Sequence, residues 1–206
     1  MEESKNLSLA RQAIEENNTE DAKVFYLKVR KEAPENGEAK FFYAYCCLYE
    51  GKNKEIPSRF SNLCKVVKPS VNYIKESGAF KEEQLQTLNR IVNNFVPETW
   101  SLNRYMNHQN TSNITIFNNS DIVFCSKEGM RTLKELGDEI EKLYFCDEEG
   151  KRLAVIAWKE YVSLSQKWFA YAVKGDAELY AAKIKKVEPS YEMPKKAGCI
   201  SFADKR

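Results

Sequence analysis

The chain has 206 residues, 43% of them hydrophobic, and a net charge of +2 made from interspersed charges of both signs. That length suits one or two domains with a real core, and only 8 Gly and 6 Pro leave little room for a turn-rich β fold. No run approaches the ~18 apolar residues of a membrane span, and the balanced charge gives no global field for nucleic acid. The start, Met1-Glu2-Glu3-Ser4-Lys5, is acidic and lacks an apolar signal core, so the cytoplasm is the expected compartment.

The first predicted elements are two short helices. Leu9, Ala10 and Ala13 share one helix face, and Ala22 and Tyr26 share a second. Small residues let antiparallel helices approach closely. Asn17-Asn18-Thr19 supplies the turn, with Thr19 expected as the N-cap and Glu20-Asp21 suited to the first turn. Pro34 ends the second helix, since it cannot continue the hydrogen-bond ladder. This small-residue skeleton resembles a tetratricopeptide (TPR) repeat, with Asn6 where the consensus has Trp and Ala13 where it has Tyr. Stepping on by the repeat period of about 34 residues brings Leu9 to Tyr43, Ala10 to Ala44, Ala13 to Cys47 and Tyr26 to Phe60. A third helix is therefore expected between Glu35-Asn36-Gly37 and Gly51. The Ala22 equivalent is Ile56, followed by Pro57, so the second hairpin is irregular and no third repeat follows.

From Pro57, residues Phe60, Leu63, Cys64, Val67, Val71 and Ile74 form a helical stripe, with Pro69 expected to kink or split it and Ser77-Gly78 to close it. Phe80 to about Val96 predicts another helix, broken or kinked at Pro97 before Trp100, Leu102 and Tyr105 resume the pattern. Residues 107–120, rich in Asn, Thr and Ser, read as a loop in which Ile114-Thr115-Ile116-Phe117 packs an apolar tip. Ser120-Asp121 opens a helix carrying Ile122, Val123, Met130, Leu133, Leu136, Ile140, Leu143 and Tyr144. Asp147-Glu148-Glu149-Gly150 is expected as a turn. Ala154, Trp158, Tyr161, Val162, Ser165, Trp168, Phe169 and Ala172 then form one amphipathic face. Asp176 is expected to cap a last helix ending near Val187-Glu188-Pro189.

The expected fold is all-α: TPR-like hairpins followed by an antiparallel helical bundle. The expected organisation is a hairpin plus third helix over residues 1–56, a bundle over 57–189, and a mobile basic tail over 190–206.

Beyond the repeat, the chain resembles an uncharacterised bacterial family of TPR-like proteins. The carrying segments are Ala33-Pro34-Glu35-Asn36-Gly37-Glu38-Ala39, Ser58-Arg59-Phe60-Ser61-Asn62, and Tyr180-Ala181-Ala182-Lys183-Ile184-Lys185-Lys186 leading through Pro189-Ser190-Tyr191 to Gly198-Cys199. The resemblance covers roughly residues 7 to 199 and implies a helical core without assigned catalytic residues. Many relatives begin with a cysteine-rich zinc ribbon that is not found here.

Six cysteines, Cys46, Cys47, Cys64, Cys125, Cys146 and Cys199, form no C-x-x-C pair, and His108 is the only histidine. No metal or other cofactor is therefore expected. Adjacent Cys46 and Cys47 cannot both face one core, so one of them is a candidate for exposure and oxidation. No nucleophile motif accompanies His108, and no Gly-rich phosphate loop occurs, so no enzymatic role is expected.

The third helix carries a stripe of Glu38, Phe41, Tyr45, Leu48 and Tyr49. If the first helix of each hairpin lines a concave surface, as the TPR resemblance implies, Arg11, Phe41, Tyr45 and Tyr49 form a groove for a protein or peptide partner. The alternative is that these aromatics are core. The basic-and-Asn arrangement that clamps a peptide's C-terminal carboxylate in chaperone-binding TPR domains is not reproduced. The expected role is a protein-interaction module or scaffold, with self-association open and nucleic acid disfavoured. The other reading gives nucleic acid or a membrane surface to the C-terminal tail, which carries +4 from Lys183 onward while the remainder carries −2.

Overall fold

The computed structural model describes residues 4–109, 117–167 and 175–195. Among these, the secondary structure is eight α-helices and one 3-10 turn, with no strand: α1 (Lys5–Glu15), α2 (Thr19–Glu32), α3 (Gly37–Cys46), α4 (Ile56–Glu76), α5 (Lys81–Gln109), α6 (Asn119–Leu143), α7 (Glu148–Lys167) and α8 (Asp176–Val187), the 3-10 turn being Asn53–Glu55. The chain is all-α, as its periodicity requires.

Helices α1 and α2 form an antiparallel pair. Ser4 Oγ and Asn6 Nδ2 at the start of α1 donate to the Glu32 carboxylate at the end of α2. Ala10, Ala13, Ala22 and Tyr26 are all buried between them and the rest of the core. The cap between the two helices is Asn18, not Thr19. Asn17 takes a left-handed φ of 57°, which sets Asn18 one residue ahead of the helix. Its Oδ1 accepts the Asp21 N–H at 3.2 Å, and Thr19 is the first helical residue.

Neither internal proline splits its helix. Pro69 lies within α4 and Pro97 within α5, and each is exposed, as are Lys65 and Asn93 four residues before them. The carbonyls deprived of a partner therefore belong to residues on the solvent side, within reach of water. The apolar stripe on the opposite face, Phe60 to Ile74 in α4 and Leu85 to Phe95 in α5, stays buried. That burial rewards an unbroken rod.

Three expected boundaries move. α5 extends to Gln109, so the start of the Asn-rich stretch is helical. Of the apolar tip, Phe117 is buried and residues 114–116 lie outside the described residues. Helix α7 begins at Glu148, because Asp147 Oδ1 accepts the N–H groups of Glu149 and Gly150 at 3.0 and 3.1 Å. The tetrapeptide expected as a turn is thus a helix start. Asp176 is the first residue of α8 and does not cap it. Gly175, with φ 85°, precedes it, and the Asp176 carboxylate instead receives Lys134 Nζ at 2.6 Å. Trp168, Phe169 and Ala172 lie outside the described residues. Residues 190–195, expected as part of a mobile tail, are placed: Tyr191 and Met193 pack partly buried against the core. The remainder from residue 196 lies outside the described residues.

One apolar core runs from Leu7 to Ile184. Along it α1 packs on α2, α2 on α3, α3 on α4, α4 on α6, α6 on α7 and α7 on α8, while α5 lies against both α6 and α7. Two of these crossings need glycine. A Cβ on Gly37 would stand 2.4 Å from the Ser70 carbonyl oxygen of α4, and one on Gly137 would stand 2.4 Å from Trp158 Nε1 of α7. The Trp158 indole is buried against this bare stretch of α6.

Gly137→Ala tests this packing. In an exposed helix the change would stabilise by about 1 kcal/mol. Here it should destabilise by about 1–3 kcal/mol through overpacking, read from the urea midpoint. A neutral or stabilising result would contradict the contact.

Candidate partner-binding face

Helix α3 starts where Asn36 Oδ1 accepts the Ala39 N–H at 2.8 Å, and this places Glu38 in the first turn, facing inward. Glu38 is 3% exposed. A lone buried carboxylate would be costly, and it is not alone. Arg11 of α1 donates Nε at 2.9 Å and Nη2 at 2.6 Å in a two-pronged pair. Arg90 of α5 donates a second pair at 3.2 and 3.1 Å. Tyr26 and Thr87 hydroxyls add contacts at 3.4 Å each. Burial pushes the carboxyl up, but the two guanidiniums outweigh it and hold Glu38 below the ordinary carboxylate range. The stability it contributes is thus present above that range and fades on acidification.

Farther along α3 the same face becomes aromatic. Phe41 is fully buried, edge-on to Phe95 of α5 with ring centroids 6.3 Å apart. Tyr45 stacks on Phe41 and is only partly buried, its hydroxyl pushed up to about 12 by burial and by the nearby Glu98. Tyr49, just past the helix end, is 45% exposed. Its ring meets Tyr105 of α5 edge-on at 5.3 Å, and its hydroxyl donates to Glu98 Oε1 at 2.5 Å. Tyr105 in turn donates to Asn53 Oδ1 at 3.2 Å. Beside Tyr49 an open cleft of about 440 Å³ is lined by Thr19, Glu20, Cys46, Tyr49, Glu50 and Gly51.

The four residues expected to form a groove therefore divide. Tyr45 and Tyr49 share a partly open aromatic surface. Phe41 is core and presents nothing to a partner. Arg11 is largely engaged by Glu38, with 17% of its side chain exposed. Sequence reasoning missed the α5 half of this face: Thr87, Arg90, Glu98 and Tyr105. A usable signal existed. Thr87, Arg90 and Glu98 fall at helical spacing beside the apolar Leu88, Ile91, Phe95 and Leu102, which is where polar groups need partners.

Other candidates are quieter. Cys46, Cys64 and Cys125 are buried, each thiol pushed up to about 12 by burial. Cys47 is half-buried and its thiol is also raised, again by burial first, so neither member of the adjacent pair is an activated thiolate. Cys146 is exposed. Cys199 and the side chain of His108 lie outside what is described. Among the described residues no group of His, Cys, Asp or Glu is placed to hold a metal ion, and no helix is long and apolar enough to cross a membrane.

Glu98 supplies a test of the face. Burial raises its carboxyl, against a smaller opposing effect of the Tyr49 hydrogen bond. A group raised on folding loses its stabilising contribution as pH climbs through the folded value. Glu98→Gln keeps an acceptor for Tyr49 and removes the titration. The variant should melt above the parent at pH 8, and the gap should shrink toward pH 4. A gap that is constant with pH, or reversed at pH 8, would contradict the buried, raised carboxyl. Compared with known family models, curated proteins and solved structures, the chain finds no match in any of the three.

Proposed function

We propose that this chain is a non-enzymatic, TPR-like protein-interaction module that acts in the cytoplasm by stoichiometric binding. Its partner is a peptide or helix laid along the partly exposed aromatic surface of Tyr45, Tyr49 and Tyr105. The observation that carries the reading is Tyr49: its ring is open to solvent, yet its hydroxyl is tied to a buried carboxylate on another helix. A large aromatic already held in place loses little conformational freedom on binding, and such residues dominate interface energetics. The Arg11–Glu38–Arg90 arrangement supports it from one end by fixing α1, α3 and α5 together. The resemblance to TPR-like proteins points the same way, since helix hairpins of that kind hold partners.

Binding through the basic tail is less well supported. Lys183, the first cation counted in that tail, is engaged by Asp138 at 3.0 Å and Glu141 at 2.8 Å, and lies over the Trp158 ring at 4.5 Å.

The test compares immobilised parent protein with Tyr49→Ala and Tyr45→Ala. Loss of an interface anchor costs about 2 kcal/mol or more, so at least one partner, or a second copy of the chain in sedimentation analysis, should lose about 30-fold in affinity. The far-UV spectrum should be unchanged. Identical partner recovery and identical oligomeric state in parent and both variants would contradict the proposal.

A further inference from the structure

Two phenylalanines stand in solvent where the fold does not require them. Phe80 is 81% exposed and Phe145 66%, the highest values for large apolar side chains among the described residues. Phe80 holds the N-cap position of α5, where its carbonyl accepts the Gln84 N–H at 3.0 Å. That position favours Ser, Thr, Asn or Asp, and a Phe side chain caps nothing there. Phe145 stands in the short link between α6 and α7, where polar residues are usual. Local rules broken without a packing gain point to function.

The fold sets both at one end of the bundle. Lys81 Nζ, beside Phe80, pairs with Asp147 Oδ2 at 2.8 Å, two residues after Phe145. Tyr144, just before Phe145, donates its hydroxyl to Gln84 Oε1 at 2.9 Å, and Gln84 Nε2 donates to the Ala79 carbonyl at 2.9 Å. These ties flank both phenylalanines. They lie about 25 Å along α5 from Glu98, at 1.5 Å per residue, well apart from the Tyr45–Tyr49–Tyr105 surface. Charge around them is one-sided. The neighbouring cations are spent: Lys81 on Asp147, Lys142 on Glu139 at 3.1 Å, Lys151 on Glu148 at 2.7 Å and Arg152 on Glu149 at 3.7 Å. Lys75 lies over the Tyr144 ring at 4.5 Å. Glu76, Glu82 and Glu83 are exposed and have no ion pair among the described residues. Glu82 and Glu83 also suit the first turn of α5, which leaves their outward charge in place.

Area and charge narrow the occupant. A Phe side chain offers about 200 Å², so the exposed pair presents roughly 300 Å², against about 800 Å² per partner where two folded proteins form a stable complex. A second copy of the chain needs more surface than this; a single short segment does not. We propose that the Phe80–Phe145 end docks a basic amphipathic segment of a protein partner, its apolar side chains on the two rings and its Lys or Arg toward Glu76, Glu82 and Glu83. Helices that dock this way present apolar anchors at i, i+3 and i+4. The aromatic anchors supply affinity, and the three carboxylates select the charge of what approaches.

The experiment titrates the full chain into a fluorescein-labelled Leu/Lys peptide of about 14 residues with Leu at helical spacing, reading anisotropy at about 50 and 500 mM salt. The parent should bind it and ignore the Leu/Glu counterpart. Phe80→Ser/Phe145→Ser should weaken binding about tenfold or more, with an unchanged urea midpoint because neither ring is core. Glu76→Gln/Glu82→Gln/Glu83→Gln should weaken it about fivefold at the lower salt and not measurably at the higher. Tyr49→Ala should bind as the parent does, which separates this end from the Tyr45–Tyr49–Tyr105 surface. A parent that binds neither peptide, or both alike, overturns the proposal. So does full affinity in the double Ser variant, loss of binding in Tyr49→Ala, or a parent dimer that the double Ser variant dissolves.

Discussion

One carboxylate holds the amino-terminal half of this protein together. Glu38 on α3 receives paired hydrogen bonds from Arg11 on α1 and Arg90 on α5. These partners come from helices that otherwise pack mainly on other neighbours, α1 on α2 and α5 on α6 and α7. Desolvating three charges is expensive, and such groups are tolerated only when geometry and hydrogen bonding are good. Here both carboxylate oxygens are used by both guanidiniums, with Tyr26 and Thr87 filling in. Because both arginines keep part of their surface in water, they give up less hydration than Glu38 does. The arrangement fixes the register of three rods where apolar packing alone would allow sliding.

Bare backbone does the same work elsewhere by steric means. Gly37 lets α3 approach the Ser70 carbonyl of α4, and Gly137 lets α6 receive the Trp158 indole of α7. Charge pairing and close approach thus alternate along the chain of helix contacts. The aromatic surface of Tyr45, Tyr49 and Tyr105 lies on the α3–α5 side of this frame, and its one buried acid, Glu98, sits directly after an exposed proline that the helix tolerates.

Much of the fold is legible in sequence because it depends on local period. The alanines of α1 and α2, the stripe Phe60–Ile74 and the face Ala154–Ser165 are buried as their spacing demands. Turn chemistry is harder to read: Asn18 and Gly175 each precede the expected cap by one residue, and Asp147 starts a helix within an expected turn, since a single left-handed residue or side-chain acceptor shifts a helix start. The prolines could not be read as continuous or broken for a different reason. Their cost depends on which side of the helix the freed carbonyl faces, and that is a tertiary fact. The candidate site was half legible. Tyr45 and Tyr49 follow from the helical stripe, but that stripe could not separate them from Phe41, which differs only in lying one turn nearer the core. The α5 partners were hidden because Glu38 and Arg90 meet across 52 residues of chain.

The frame and the surfaces built on it make one connected account, in which α1, α3 and α5 keep their relative positions through Glu38. The most direct test is amide hydrogen exchange on Glu38→Gln at neutral pH. Breaking a buried, paired charge costs about 3–5 kcal/mol. Exchange in α1, α2 and α3 should therefore accelerate by about 100-fold or more, with α6, α7 and α8 retaining their protection. Unchanged protection in α1 and α3, or a uniform acceleration across all eight helices, would contradict the claim that this carboxylate sets the geometry of the amino-terminal half.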